Sequence, residues 1–251
     1  MYAKKGSTRK VILTLVLLAL VVGGAIGGTF AWLIAQSNTV SNTFTEGNVN
    51  ISLNEHLLDP QTGAQMGQNE WVEVKDGSVF QEVELLPGRT IYKDPTVFVE
   101  PGSEACYVRM YMIVDYTTDV ENAETVGFDE LENWFGYNNA WELTDPCIDT
   151  KANQCGHVYE FTYKEKVPAV EGDTARQLPP LFNYIKIDED VTGDDFVCLK
   201  DVELTFIAQA VQARDGMENN PFDGILVPNL SLDLKEGTTL TLQALMDRNR
   251  A

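Results

Sequence analysis

Histidine is nearly missing from this chain of 251 residues, where His56 and His157 are the two present. Neither stands in H-E-x-x-H, the spacing that puts two imidazoles on one helical face for zinc. Two histidines so far apart are expected at the surface. A G-x-S-x-G turn is also missing, so a serine nucleophile of the α/β-hydrolase kind has no support. A cysteine nucleophile needs a base beside it, and His157, two residues past Cys155, is the lone candidate; a loop disulfide explains that cysteine more simply. No catalytic, cofactor-binding or metal-ligating residue is assigned, and the chain is not expected to be an enzyme. Basic residues are scarce too: 18 Lys and Arg stand against 38 Asp and Glu, a formal net charge of −20. Nucleic acid and anionic lipid are thereby excluded as partners, since binding either needs cations to neutralise phosphates.

What is present begins at the N-terminus. Lys4, Lys5, Arg9 and Lys10 precede the apolar run VILTLVLLALVVGGAI at residues 11–26. A basic segment, an apolar segment and small residues make a secretory signal. The basic end stays cytoplasmic and the remainder is translocated. Ala31 and Ala35 are the candidate residues before the cut. The alternative is an uncleaved anchor, because residues 11–35 are long enough to span a bilayer. Gly23, Gly24, Gly27 and Gly28 favour a processing region over a helix interior. Removing residues 1–35 takes away four cations and no acid, so the exported part carries −24. Such charge holds copies apart unless protons, salt or divalent cations screen it.

Cys106, Cys147, Cys155 and Cys198 can form bridges outside the cytoplasm. Cys147 and Cys155 enclose the polar loop CIDTKANQC and are the better pair; closing that loop contributes about 2–3 kcal/mol in the chain-entropy model. Cys106 and Cys198 are then partners of each other or buried free thiols.

Strand periodicity dominates the rest. Cys106, Val108, Met110, Met112, Val114 and Tyr116 form one buried face, while Tyr107, Arg109, Tyr111 and Asp115 make an opposite face that reads as wet. Residues 201–212 repeat the pattern, with Val202, Leu204, Phe206, Ala208 and Ala210 inward. Shorter strands are expected at Val49–Leu53, Trp71–Val74, Val79–Leu85, Thr96–Val99, Val158–Tyr163 and Phe182–Ile187. Asp76-Gly77, Pro87-Gly88, Pro101-Gly102 and Thr192-Gly193 are turn signals between them. Residues 144–156, 170–180 and 214–224 read as surface loops. Asp129–Phe135 suits one short helix, and Thr238–Arg248 reads equally as a last strand or a helix. The fold class is all-β: a two-sheet antiparallel sandwich of jelly-roll type with a few short helices, following an N-terminal signal or hydrophobic helix. Its parts are a signal (1–35), a β-prone leader (36–48) and one sandwich domain (49–251). The run Asp188–Asp195 resembles the start of a calcium loop, but the twelfth position holds Leu199 instead of a bidentate Glu. It reads as a solvated acidic turn, with weak calcium binding by surface carboxylates as the remaining cofactor expectation.

Three stretches carry a resemblance: GGTFAWLIAQSNTVSNTFTEGNVNISL (27–53), ELLPGRTIYKDPTVFVEPGSEACYVRMYMIV (84–114) and VELTFIAQAVQA (202–213). In order and spacing they resemble the TasA/camelysin family of secreted Gram-positive proteins; residues 117–200 have no counterpart. The resemblance implies a jelly-roll sandwich cut by a SipW-type signal peptidase. It also implies a place in extracellular fibres of the biofilm matrix or at the cell surface, with copies of itself and other matrix or surface components as partners. Leader residues 36–45, QSNTVSNTFT, carry no charge and are strand-compatible. Three fates are open to them: strand donation to another copy's sheet edge, the first strand of their own sheet, or a loose leader. Two other functions are carried forward. One is a monomeric surface adhesion module held by an uncleaved helix, with Tyr107, Tyr111, Trp134 and Trp141 as a ligand platform. The other is a camelysin-like metalloprotease.

Overall fold

The computed structural model describes residues 33–35, 44–46, 48–59, 61–67, 71–73, 83–117, 134–147, 157–190, 200–234 and 237–250. The chain divides into Met1–Trp32, which lies outside these residues, and Leu33–Ala251. The second unit begins with β1 (Leu33–Ala35), β2 (Phe44–Glu46), β3 (Ile51–His56), β4 (Trp71–Glu73) and β5 (Val83–Leu85). Next come β6 (Thr90–Tyr92), β7 (Thr96–Val99), β8 (Cys106–Thr117), β9 (Phe135–Tyr137), β10 (Trp141–Cys147) and β11 (His157–Tyr163). The series closes with β12 (Arg176–Gln177), β13 (Phe182–Lys186), β14 (Lys200–Gln212), β15 (Ser231–Asp233), β16 (Thr239–Thr241) and the helix α1 (Leu242–Arg250).

The fold is an all-β sandwich. One sheet has the order β10-β11-β8-β14-β2, another β12-β7-β3-β4, and a smaller one β6-β13-β9. β1 pairs with β5, and β15 with β16. Pairing is antiparallel throughout the described residues except between β14 and β2, which run parallel. β8 and β14 form the long central ladder because both keep one phase apolar over most of their length. Their inward side chains, among them Val108, Met110, Met112, Val114, Leu204, Phe206 and Ala208, meet Leu53, Val97 and Val99 in the main core.

Both Pro-Gly signals in the described part make turns in which the glycine takes positive φ. Arg89 N donates to Leu86 O (3.0 Å) around Pro87-Gly88, and Ser103 N donates to Glu100 O (3.2 Å) around Pro101-Gly102. With φ of 73° and 80° these glycines occupy the position a type II turn reserves for a residue without Cβ. Asp76-Gly77 and Thr192-Gly193 lie outside the described residues.

Several expectations need correction. The outer face of β8 is not wet: Tyr107, Arg109, Tyr111 and Asp115 are all buried, as are Glu203, Thr205 and Gln209 on β14. The C-terminal part of the chain covers them. Leu232, Leu234, Leu242, Leu245 and Met246 pack on Tyr111, Ile113, Val158 and Ile207, giving the sandwich a third layer. Thr238–Arg248 is a strand and a helix in succession. Thr241 caps α1 by accepting from Ala244 N (3.1 Å), and Leu242, Leu245 and Met246 share its inward stripe. The loop expected from residue 144 starts later, since β10 runs to Cys147; Asp145 and Pro146 hid that strand through their low strand propensity. Phe135 opens β9 instead of closing a helix; residues 118–133 lie outside the described set.

Candidate functional site

Two groups of buried polar side chains and one sheet edge hold the chemistry of the described residues. The edge belongs to β14. β2 joins it in parallel, with Phe44 opposite Gln209, Thr45 opposite Ala210 and Glu46 opposite Val211. Gln209 in turn stands opposite Arg109 on β8, and Arg109 opposite Thr162 on β11, so one row crosses four strands. Arg109 Nε donates to Gln209 Oε1 (2.7 Å) and Nη1 to Glu160 Oε1 (3.2 Å). Its guanidinium lies over the rings of Phe222 (4.4 Å) and Tyr111 (5.1 Å). Gln209 Nε2 donates to Leu226 O (3.0 Å). A buried cation, hydrogen-bonded and faced by two aromatic rings, thus fastens the loop after β14 to the sheet.

At the other edge of this sheet, β10 is guarded. Its register slips between Leu143 and Asp145, Pro146 withholds a donor, and Glu142 is exposed. A bulge, a proline and a charge discourage another strand from pairing there.

The second group sits where β3 meets the β6–β7 connection. His56 Nδ1 lies 2.6 Å from Asp94 Oδ2, and His56 N donates to Asp94 Oδ1 (3.1 Å). Tyr92 OH donates to Asp94 Oδ2 (3.2 Å), and the His56 ring centroid lies 3.6 Å from that of Trp71, the two planes tilted by 39°. Burial, then the Asp94 charge and its hydrogen bond, push the Tyr92 hydroxyl up to about 12. Beside this, Lys93 Nζ donates to both Glu55 oxygens (2.7 and 2.9 Å), with side chains 5% and 3% exposed. The expected surface histidines are therefore buried ones: His56 is held by Asp94, and His157 is buried on β11. Because both pairs are enclosed, they clamp strands together instead of facing a substrate.

A cavity of about 340 Å³ is lined by Trp134, Lys186, Asp188, Glu189 and Asp190. It takes in the start of the acidic run; residues 191–199 lie outside the described set. Among the described residues no group of three or more His, Cys, Asp or Glu is placed to hold a metal ion. Tyr107, Tyr111, Trp134 and Trp141 are all buried, so they form no exposed platform. Cys106 is a buried free thiol, pushed up to about 11 by burial. Cys155, Cys198 and the Cys147 side chain lie outside the described residues, so the Cys147–Cys155 pairing stays an expectation. Of the cut-site candidates, Ala31 lies outside them, and Ala35 ends β1, opposite Val83. Among the described residues no helix is long and apolar enough to cross a membrane.

The sequence did carry a signal for the missed clusters. Glu55 falls in phase with the buried Ile51 and Leu53, and Lys93 in phase with the buried Ile91. A charge in the apolar phase of a strand calls for a buried partner. No family model, curated protein or solved structure matches the chain.

Proposed function

We propose that this is a secreted structural protein of the extracellular matrix, whose copies assemble into fibres by sharing the leader strand. Support comes first from the position of β2. Phe44 and Thr45, the last residues of the uncharged leader, lie with Glu46 along the edge of β14. A strand at a sheet edge is suited to exchange, since the same edge accepts the same strand from another copy. A donor keeping this register brings Gln36 opposite Asp201, so residues 36–46 match almost the whole of β14. Within this sheet the guarded β10 edge leaves the β14 side for growth. Ala35 stands immediately before this segment, and a SipW-type cut there releases Gln36 as a free end.

The test is electron microscopy of protein recovered from the medium, its N-terminus fixed by mass. Fibres are expected to form faster at low pH or with added calcium, as the −24 charge is neutralised or screened. Dispersed monomers across the whole series would refute the reading. The adhesion alternative loses its aromatic platform to burial, and no described feature favours a metalloprotease.

A further inference from the structure

Leu226 is 86% exposed, the most exposed large apolar side chain among the described residues. Its own backbone is nevertheless fixed: its carbonyl is held by Gln209, which Arg109 holds in turn. Neighbours in the same loop turn inward, with Phe222 buried against Tyr107 and Val211, and Met217 and Ile225 half-buried on them. Asp215, Glu218 and Asp223 are exposed in the same loop. An exposed apolar side chain on a loop already tied to the sheet suits a contact surface, since little ordering cost remains to be met on binding.

The direction of β2 says what arrives there. Because β2 runs parallel to β14, its chain leaves the edge past Val211, at the end where β14 passes into the Leu226 loop. In this chain the continuation goes straight into the domain body. Asn48 O accepts from Glu104 N (2.9 Å) and Asn50 N donates to Ser103 Oγ (3.0 Å), while Ala105 O accepts from Ala213 N (2.7 Å) at the same end. A donor strand from a second copy therefore leaves at this end of β14 and brings that copy's body to it.

Resting on the strand-sharing reading, we infer that Leu226 and the loop 213–227 are the second contact between successive copies, packing against the body of the copy that donates its strand. The occupant is another copy of this chain. The contact is salt-dependent, because two strongly negative bodies meet there and the loop itself exposes Asp215, Glu218 and Asp223.

The experiment compares fibre growth by light scattering and electron microscopy for the secreted protein and for Leu226→Ser and Leu226→Met. A synthetic peptide of residues 36–46 is added in a parallel arm as a competitor for the β14 edge. The expected result has three parts. Leu226→Ser keeps the wild-type melting curve but grows at least tenfold more slowly, Leu226→Met grows at nearly the wild-type rate, and the peptide blocks wild-type growth. Unchanged growth of Leu226→Ser, with the peptide still blocking, overturns this contact and leaves strand sharing standing. Wild-type fibres indifferent to the peptide, or no wild-type fibres at all, overturn strand sharing and this contact with it.

Discussion

Lys93 and Glu55 face each other inside an otherwise apolar core, with the Phe206 ring 5.3 Å from the ammonium. Desolvating two charges offsets much of their attraction, yet removing one leaves the other stranded. Lys93→Met is therefore expected to cost about 3–5 kcal/mol in urea unfolding. The double replacement Lys93→Met with Glu55→Leu should recover most of that loss; a double variant as unstable as the single one would contradict the clamp. Tyr92 provides a pH dependence. Its hydroxyl is raised in the folded state, so its contribution is complete below the unfolded value of 10 and is lost as pH rises toward about 12. Stability should decline over that window, and Tyr92→Phe should flatten the decline. An identical slope in both proteins would count against the burial and Asp94 contact described for it.

The strands show what sequence can and cannot reveal. β8 and β14 were legible because one phase of each stays apolar over most of its length. β7, β11 and β13 were legible because short β-branched and aromatic runs stand between turn and loop signals, and the Pro-Gly turns because glycine suits their second central position. β6, β9, β15 and β16 were not, since three residues carry too little period to read. The inward face of β8 was legible from its own residues. Its outer face was not, because Arg109 and Tyr111 look wet until the chain after β14 folds back over them. That layer makes its own prediction. Ending the chain after Thr241 removes Leu242, Leu245 and Met246 from their contacts, each contributing about 1.5–3 kcal/mol of burial. Several kcal/mol of stability should disappear, and the uncovered face around Tyr111 and Ile207 should bind an apolar dye. A truncated protein that melts like the whole chain would show that the third layer is dispensable.

At the scale of the whole molecule, the five-stranded sheet has one guarded edge and one edge bordered by β2. On the proposed reading copies add at the second of these, where charge opposes the addition and strand pairing drives it, so salt and pH set the balance. The most direct measurement places cysteines at Glu46 and Val211, which stand opposite each other across β2 and β14. Isotopically light and heavy forms of this double variant are mixed as monomers, grown into fibres, oxidised and digested. Strand sharing predicts linked peptides joining a light residue 46 to a heavy residue 211 at the share random mixing gives. Fibres holding only light–light and heavy–heavy links would mean that each leader stays on its own sheet, contradicting the account.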